Sequence, residues 1–235
     1  MSSVFELTSD SDGVLDAPFG EQLWFPEGGE KDRRFLWLKR VCDLSIAVPL
    51  ALLLAPLLAF IAIAIGVETP GPVLFRQRRF GLHFEPFVIN KFRSLRIGEP
   101  DPSANYEMSE SDPRITRVGR WLRRTSLDEL PQIFNVLAGS MSLVGPRPLI
   151  ESESRICLAK HAERFLMRPG ITGLQQVELR NASTLDQRSD LDVAYVRRWS
   201  LYLDFLLLLK TPLRVLRCDG VYPAEKGAQN AAHNR

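Results

Sequence analysis

The sequence predicts an α-rich α+β protein. A re-entrant helix-break-helix membrane segment packs on a small cytoplasmic domain with amphipathic interfacial helices and a few short strands. Three observations predict it. Leu44 to Val67 runs for 24 residues without a charge. Pro56 divides that run, and basic residues flank both of its ends. Downstream, four segments carry helical patterning, whereas only two short stretches are rich in β-formers.

The chain begins with an acidic tail. Residues 1–30 hold seven acids and no Lys or Arg, leaving 21 acids against 30 bases, or +9, in residues 31–235. The overall charge of +2 therefore averages unlike parts. Such a stretch buries too little apolar surface to offset its ordering entropy, so residues 1–34 are expected to be disordered. It lacks the basic start and small-residue cleavage site of a signal peptide. The 235 residues suit one domain with appendages, and 45% hydrophobic with 25% charged residues exclude global disorder, collagen and coiled coil. Cys42, Cys157 and Cys218 show no C-x-x-C, and His83, His161 and His233 are scattered. A disulfide scaffold or zinc module is thereby disfavoured.

Residues 35–68 form the membrane segment. As a straight helix the uncharged run would reach roughly 36 Å, enough for a hydrocarbon core of about 30 Å. Pro56 removes a backbone donor and crowds the preceding turn, so a break is expected there. Each leg is then roughly 16–18 Å, about one leaflet. Lys31, Arg33, Arg34, Lys39 and Arg40 precede the run, and Arg76, Arg78 and Arg79 follow it. A spanning helix usually shows a charge asymmetry, so basic residues on both flanks favour re-entrance over spanning. A buried core helix is the blander alternative, disfavoured by the length of the run.

Residues 69–217 read as the soluble but surface-associated body. Pro70-Gly71-Pro72 marks a turn, followed by strands expected at Pro72–Arg79 and Phe84–Phe92. Glu99–Pro113 is a polar loop. Helices are expected at about 116–124, 128–138, 151–166 and 186–198. The apolar stretch Leu201–Leu209 contains Asp204 and is too short to span, so it is interfacial or core-packed. Residues 218–235 form a second disordered tail.

The chemistry concentrates between Arg114 and Pro148. Ser126-Leu127-Asp128-Glu129-Leu130-Pro131-Gln132 matches the S-x-x-E capping box, although Pro131 would then lose a donor that the helix needs. Capping by Asp128 would instead put Pro131 harmlessly in the first turn. A catalytic reading is compatible with either. Arg114, Arg117, Arg120, Arg123 and Arg124 lie upstream, with Gly145-Pro146-Arg147-Pro148 and Arg168-Pro169-Gly170 downstream. Arginine forks suit phosphate oxygens, and adjacent carboxylates among them suit phosphoryl transfer with a divalent cation. Solvated surface or contact with anionic lipid accounts equally for some of these arginines. P-loop and Rossmann fingerprints are absent from the sequence. No stacking pattern of aromatic and basic residues points to nucleic acid.

These residues in this order resemble the bacterial sugar transferases, the monotopic phosphoglycosyl transferases. The resemblance runs from about Lys39 to Leu216. It is carried by Lys39-Arg40 with Asp43, Phe75-Arg76-Gln77-Arg78-Arg79-Phe80-Gly81, Lys91-Phe92-Arg93 and Asp112-Pro113-Arg114-Ile115-Thr116. The Ser126–Gln132 motif with Asn135, Gly139–Pro148, Arg168–Gly173, Leu191-Asp192 with Tyr195-Val196, and Trp199-Ser200-Leu201 complete it. The family moves a sugar phosphate from a nucleotide diphosphate sugar, typically uridine-linked, onto polyprenyl phosphate, the first membrane step of a surface glycan such as an exopolysaccharide.

The resemblance implies Asp128 as nucleophile and Glu129 as proton acceptor or metal-supporting group, with Mg²⁺ at the pair. It implies Arg147 and Arg168, then Lys91 and Arg93, as substrate contacts, and Pro56 as the membrane break. It also implies the cytoplasmic face of a bacterial inner membrane, a bilayer with anionic lipid, and self-association or downstream glycosyltransferases as further partners. Ala55-Pro56 replaces the common Ser-Pro, and Gln175 and Leu179 stand where an aromatic residue and a glycine are usual, which bears on sugar specificity. The competing reading is a membrane-anchored scaffold of a glycan-assembly complex with a degenerate site, against which the intact Asp128-Glu129 pair counts.

Overall fold

The computed structural model describes residues 14–16, 22–24, 30–97, 112–179 and 184–216, with side chains of the membrane segment from Leu36 onward. Most of the expected acidic tail, nearly all of the polar loop Glu99–Pro113 and all of residues 218–235 lie outside these. Within the tail, β1 (Val14–Asp16) and β2 (Gln22–Trp24) pair antiparallel.

Helix α1 spans Glu30–Glu68, 39 residues, and continues unbroken through Pro49 and Pro56. Pro56, the expected break, therefore does not interrupt the run of helical residues. A proline deletes a single donor, and the hydrogen bonds on either side carry the helix past it. Among the described residues α1 is the one helix long and apolar enough to cross a membrane, with a mean hydropathy of 2.8 in its most apolar window. Its buried positions recur every three or four residues: Asp43, Ala47, Leu58, Ile61 and Ile65, with Leu50, Ala51 and Leu54 partly buried between them. That spacing is one face of a helix. The opposite face is bare, with Leu52 73% and Val67 83% exposed.

Both ends of α1 are tied to the same body. Near its start, Lys39 Nζ lies 2.6 Å from Asp204 Oδ2. One turn on, Asp43 accepts from Ser142 Oγ at 2.7 Å and from the Leu143 amide at 3.1 Å. At its end, the Glu68 carboxylate accepts the Arg117 and Val118 amides at 2.6 and 3.0 Å. Those amides open α2 (Arg117–Arg124), which Thr116 also caps through the Gly119 amide. An acid over a helix N-terminus satisfies otherwise orphaned donors.

The body hangs on two small sheets. The strands β3 (Leu74–Phe80) and β4 (Pro86–Phe92) form an antiparallel ribbon with Arg79 opposite Phe87 and Phe75 opposite Lys91. After α2 comes a 3₁₀ turn at Leu127–Glu129, then α3 (Gln132–Ala138), which Gly139 ends in the left-handed region at φ 90°. Asn135 locks α3 to β4: its Oδ1 accepts from the Asn90 amide at 3.0 Å and its Nδ2 donates to the Val88 carbonyl at 2.6 Å.

Next follow β5 (Ser142–Val144), α4 (Glu151–His161), a 3₁₀ turn at Ala162–Leu166, and β6 (Gly170–Thr172), which pairs parallel to β5. Helices α5 (Leu174–Glu178), α6 (Leu185–Arg198) and α7 (Leu201–Leu216) complete the chain.

The helix expected at 151–166 therefore changes to 3₁₀ after His161, and the 128–138 helix is a 3₁₀ turn followed by α3. The apolar stretch after Leu201 extends past Lys210 and Pro212 into α7 and does both expected jobs: Leu207 is in the core, while Phe205, Leu209 and Leu213 face outward. Its Asp204 is explained by its partners, since Tyr195 Oη and Trp199 Nε1 donate to it at 2.7 and 3.1 Å beside Lys39.

Candidate active site

The Ser126–Gln132 motif begins in an unusual backbone state. Ser126 adopts φ 55°, a left-handed conformation uncommon outside glycine, and its side chain makes no capping bond. Pro131 is itself the residue before the first turn of α3, where a missing N–H costs nothing, and no side chain caps that helix. Neither arrangement of caps drawn from the sequence is used. Asp128 and Glu129 sit instead on the 3₁₀ turn, their carboxylates uncommitted to helix capping.

The β3–β4 ribbon brings cations to them. Lys91 Nζ lies 2.7 Å from Glu129 Oε1. A cleft opens here, lined by Arg79, Lys91, Glu129, Gln132, Arg147 and Gln176 together with the apolar Ile89, Pro148 and Ile171. Arg79 Nη2 donates to Gln77 Oε1 at 2.6 Å.

The two carboxyls are shifted in opposite directions. Burial lifts Asp128 to about 6, with Lys91 opposing and the charge of Glu129 adding to the rise. Burial acts on Glu129 as well, but Lys91 and then Arg147 outweigh it and hold this carboxyl well below its usual range. Paired groups pushed apart in this way divide labour: Glu129 is a standing charge, and Asp128 is the more basic oxygen.

Arg147 is set by a buried pair beneath it. Arg164 Nη2 donates both to Asp192 Oδ2 and to the Arg147 carbonyl, the latter at 2.8 Å. Burial raises the Asp192 carboxyl to about 6 despite Arg164. The carbonyl of Arg147 is thus tied to the buried pair. The two proline turns are laced together: the Gly145 amide donates to the Thr172 carbonyl and the Gly170 amide to that of Pro146, both at 2.9 Å. The approach is so close that a Cβ on Gly170 would meet Gly145 N at 2.1 Å.

Of the four substrate contacts expected, Lys91 and Arg147 meet at the cleft with Glu129, and Asp128 adjoins them. Arg168 and Arg93 do not join them. Arg168 Nε donates to the Gly139 carbonyl at 2.8 Å, and Arg168 lines a separate small pocket with Lys39, Arg40 and Asp43. Arg93 is buried and spends its guanidinium on the Pro70 and Thr69 carbonyls at 2.7 and 2.8 Å. Three lining residues were not singled out from sequence, namely Arg79, Gln132 and Gln176. The first two lie inside quoted motifs, but nothing local marks which residue of a basic or polar run turns inward.

Among the described residues no group of three or more His, Cys, Asp or Glu could enclose a metal ion. Two adjacent carboxylates remain, and Mg²⁺ is commonly held by one or two carboxylates with substrate phosphates completing its oxygen shell. Asp128 and Glu129 fit that pattern.

Comparison with known proteins agrees with the motifs. The family model described as bacterial sugar transferase matches residues 34–218. A UDP-glucose:undecaprenyl-phosphate glucose-1-phosphate transferase of Xanthomonas campestris is 42% identical over 197 residues, covering 80% of this chain and 41% of that protein. One of the same description from Caulobacter vibrioides is 44% identical over 192 residues, 78% of this chain and 72% of that one. An undecaprenyl-phosphate galactose phosphotransferase of Salmonella typhimurium is 40% identical over 202 residues, 79% and 42%. The chain thus spans about two fifths of two of these relatives and about seven tenths of the third. A match over most of the chain, including every residue of the cleft, makes this protein a member of the bacterial sugar transferase family.

Proposed function

We propose that the protein transfers a sugar 1-phosphate from a UDP-linked sugar to polyprenyl phosphate, by way of a covalent intermediate on Asp128. The observation that carries this is the carboxylate pair split in basicity beside a cleft walled by Arg79, Lys91 and Arg147. Guanidinium forks and an ammonium grip the diphosphate and offset charge as it develops. An Asp128 oxygen attacks the phosphorus that bears the sugar. The bond from that phosphorus to the bridging oxygen breaks, and uridine monophosphate departs. An oxygen of polyprenyl phosphate then attacks the same phosphorus, the acyl-phosphate P–O bond breaks, and the Asp128 carboxylate is restored. Mg²⁺ held by Asp128, Glu129 and the substrate phosphates would supply charge neutralisation. Glu129 keeps its charge throughout, and Lys91 orients it.

The acceptor's chemistry calls for a membrane, and the exposed apolar faces of α1 and α7 suit one. Re-entrance is supported by the anchoring of α1: Lys39 and Glu68, 29 residues apart, are tied to one small body. Ends so held cannot readily sit on opposite faces of a bilayer. The cytoplasmic face of the inner membrane is the side on which nucleotide sugars are available.

The test is incubation of membranes with UDP-sugar labelled in the sugar, without acceptor. A labelled protein adduct and released uridine monophosphate are expected, both absent in Asp128→Asn. An adduct persisting in that variant would exclude Asp128 as nucleophile.

A further inference from the structure

Resting on the reading of the cleft as the nucleotide-sugar site, we infer that Gln176 is its sugar-reading residue, its side-chain amide engaging two neighbouring hydroxyls of the sugar. Both ends of that amide, Oε1 and Nε2, are shielded from solvent and have no hydrogen-bond partner among the described residues. Buried polar atoms are nearly always paired, and each one left alone costs free energy, so a side chain orphaned at both ends points to a group that binds there. The residue lines the cleft, on the short helix α5 directly after the strand whose turn is laced to that of Arg147. With no bond to break, the amide turns into the adjoining cleft at little cost.

Its position is built rather than incidental. A Cβ on Gly173 would meet the Gly145 carbonyl oxygen at 2.2 Å and Gln176 Oε1 at 2.9 Å, so the glycine that the close packing of the two turns requires also leaves room for the folded side chain. The Val177 amide donates to the Gly173 carbonyl at 3.1 Å, fixing the turn that presents it. Gln175, the residue that departs from the usual aromatic, is buried and is not among the cleft-lining residues. Sugar recognition therefore falls to its neighbour.

The ligand follows from the lining. The cations Arg79, Lys91 and Arg147 answer to the diphosphate. Among the described residues no aromatic side chain lines the cleft to stack a base. A carboxamide offers one acceptor and an NH₂ donor group side by side, which matches a vicinal diol donating through one hydroxyl and accepting through the next. The relatives named for glucose and for galactose act on hexoses, which present such diols.

The experiment uses the full chain in its membrane and measures uridine monophosphate release from UDP-glucose and UDP-galactose. The 2-, 3- and 4-deoxy analogues of the better donor are then compared in wild type, Gln176→Leu and Gln176→Glu. Wild type should lose at least tenfold in kcat/KM on two adjacent deoxy positions, because a site built for a hydroxyl rejects the analogue lacking it. Gln176→Leu should lose roughly tenfold to hundredfold on the parent sugar and show no further loss at those two positions. Gln176→Glu, which retains an acceptor, should keep the penalty at only one of them and serves alone if Gln176→Leu does not fold. Equal deoxy penalties in wild type and variants would overturn the assignment. Release of no nucleotide from any donor by wild type would instead overturn the reading of the cleft itself.

Discussion

Lys91 Nζ and Glu129 Oε1 stand 2.7 Å apart, joining the β4 strand to the 3₁₀ turn that carries both carboxylates. The ammonium acts on the neighbouring Asp128 too, opposing the burial that raises it. Lys91→Met removes that opposition, so both carboxyls should become more basic. The acid limb of the rate profile should move to higher pH, with kcat falling roughly a hundredfold through loss of a fixed cation. Lys91→Arg should recover part of the rate, as measured by uridine monophosphate release.

Adduct formation should titrate with Asp128. Its carboxyl is raised to about 6, so the attacking carboxylate is present above that pH and is lost below it. Single-turnover labelling should hold steady above about pH 7 and fall about tenfold per unit below 6. Glu129, held down by its cations, stays ionised across this window and adds no second acid limb.

Asp192→Ala should be a stability variant first. It leaves Arg164 buried without its carboxylate, a loss of about 3 kcal/mol or more, and lowers Tm by roughly 6–12 °C. The double variant Asp192→Leu with Arg164→Met should regain much of that in a thermal melt, because a buried pair replaced whole costs far less than one broken.

Gly170→Ala probes the lacing of the two proline turns. The added methyl meets Gly145 N at 2.1 Å and the Thr172 carbonyl oxygen at 2.3 Å, both backbone atoms with nowhere to move. A loss of about 3 kcal/mol is expected from such overpacking, read by denaturant titration, with activity falling further as Arg147 shifts.

Membrane arrangement is checked with single cysteines in a cysteine-free background, at the exposed positions Trp37 and Pro72 on either side of the apolar run. Both should react with an impermeant maleimide from the same side of the membrane. Labelling from opposite sides would establish a spanning helix.

Much of the fold is legible in the chain, because periodicity and composition are properties of near neighbours. The apolar run, the β3–β4 ribbon, α2 and α6 all follow from patterns within a dozen residues. The strands β5 and β6 are three residues each, too short to carry alternation, and their parallel pairing joins residues 28 apart. They were legible only as proline turns. Whether helical residues continue through Pro56 is likewise decided by what packs around it, not by the proline alone.

Residue type marks Asp128, Glu129, Arg147 and Arg168 as charged groups suited to phosphate chemistry, and the family resemblance adds Lys91 and Arg93. Neither tells which of them share a cleft. The register of β4 turns Lys91 toward Glu129, while Arg93, two residues on, closes a turn after α1. The Arg164–Asp192 pair holds the main chain of Arg147, whereas Arg168 is spent on the end of α3. Chemical character thus belonged to the sequence, and assembly to the tertiary structure. A charge acts through distance and burial, and both are set by residues far away along the chain.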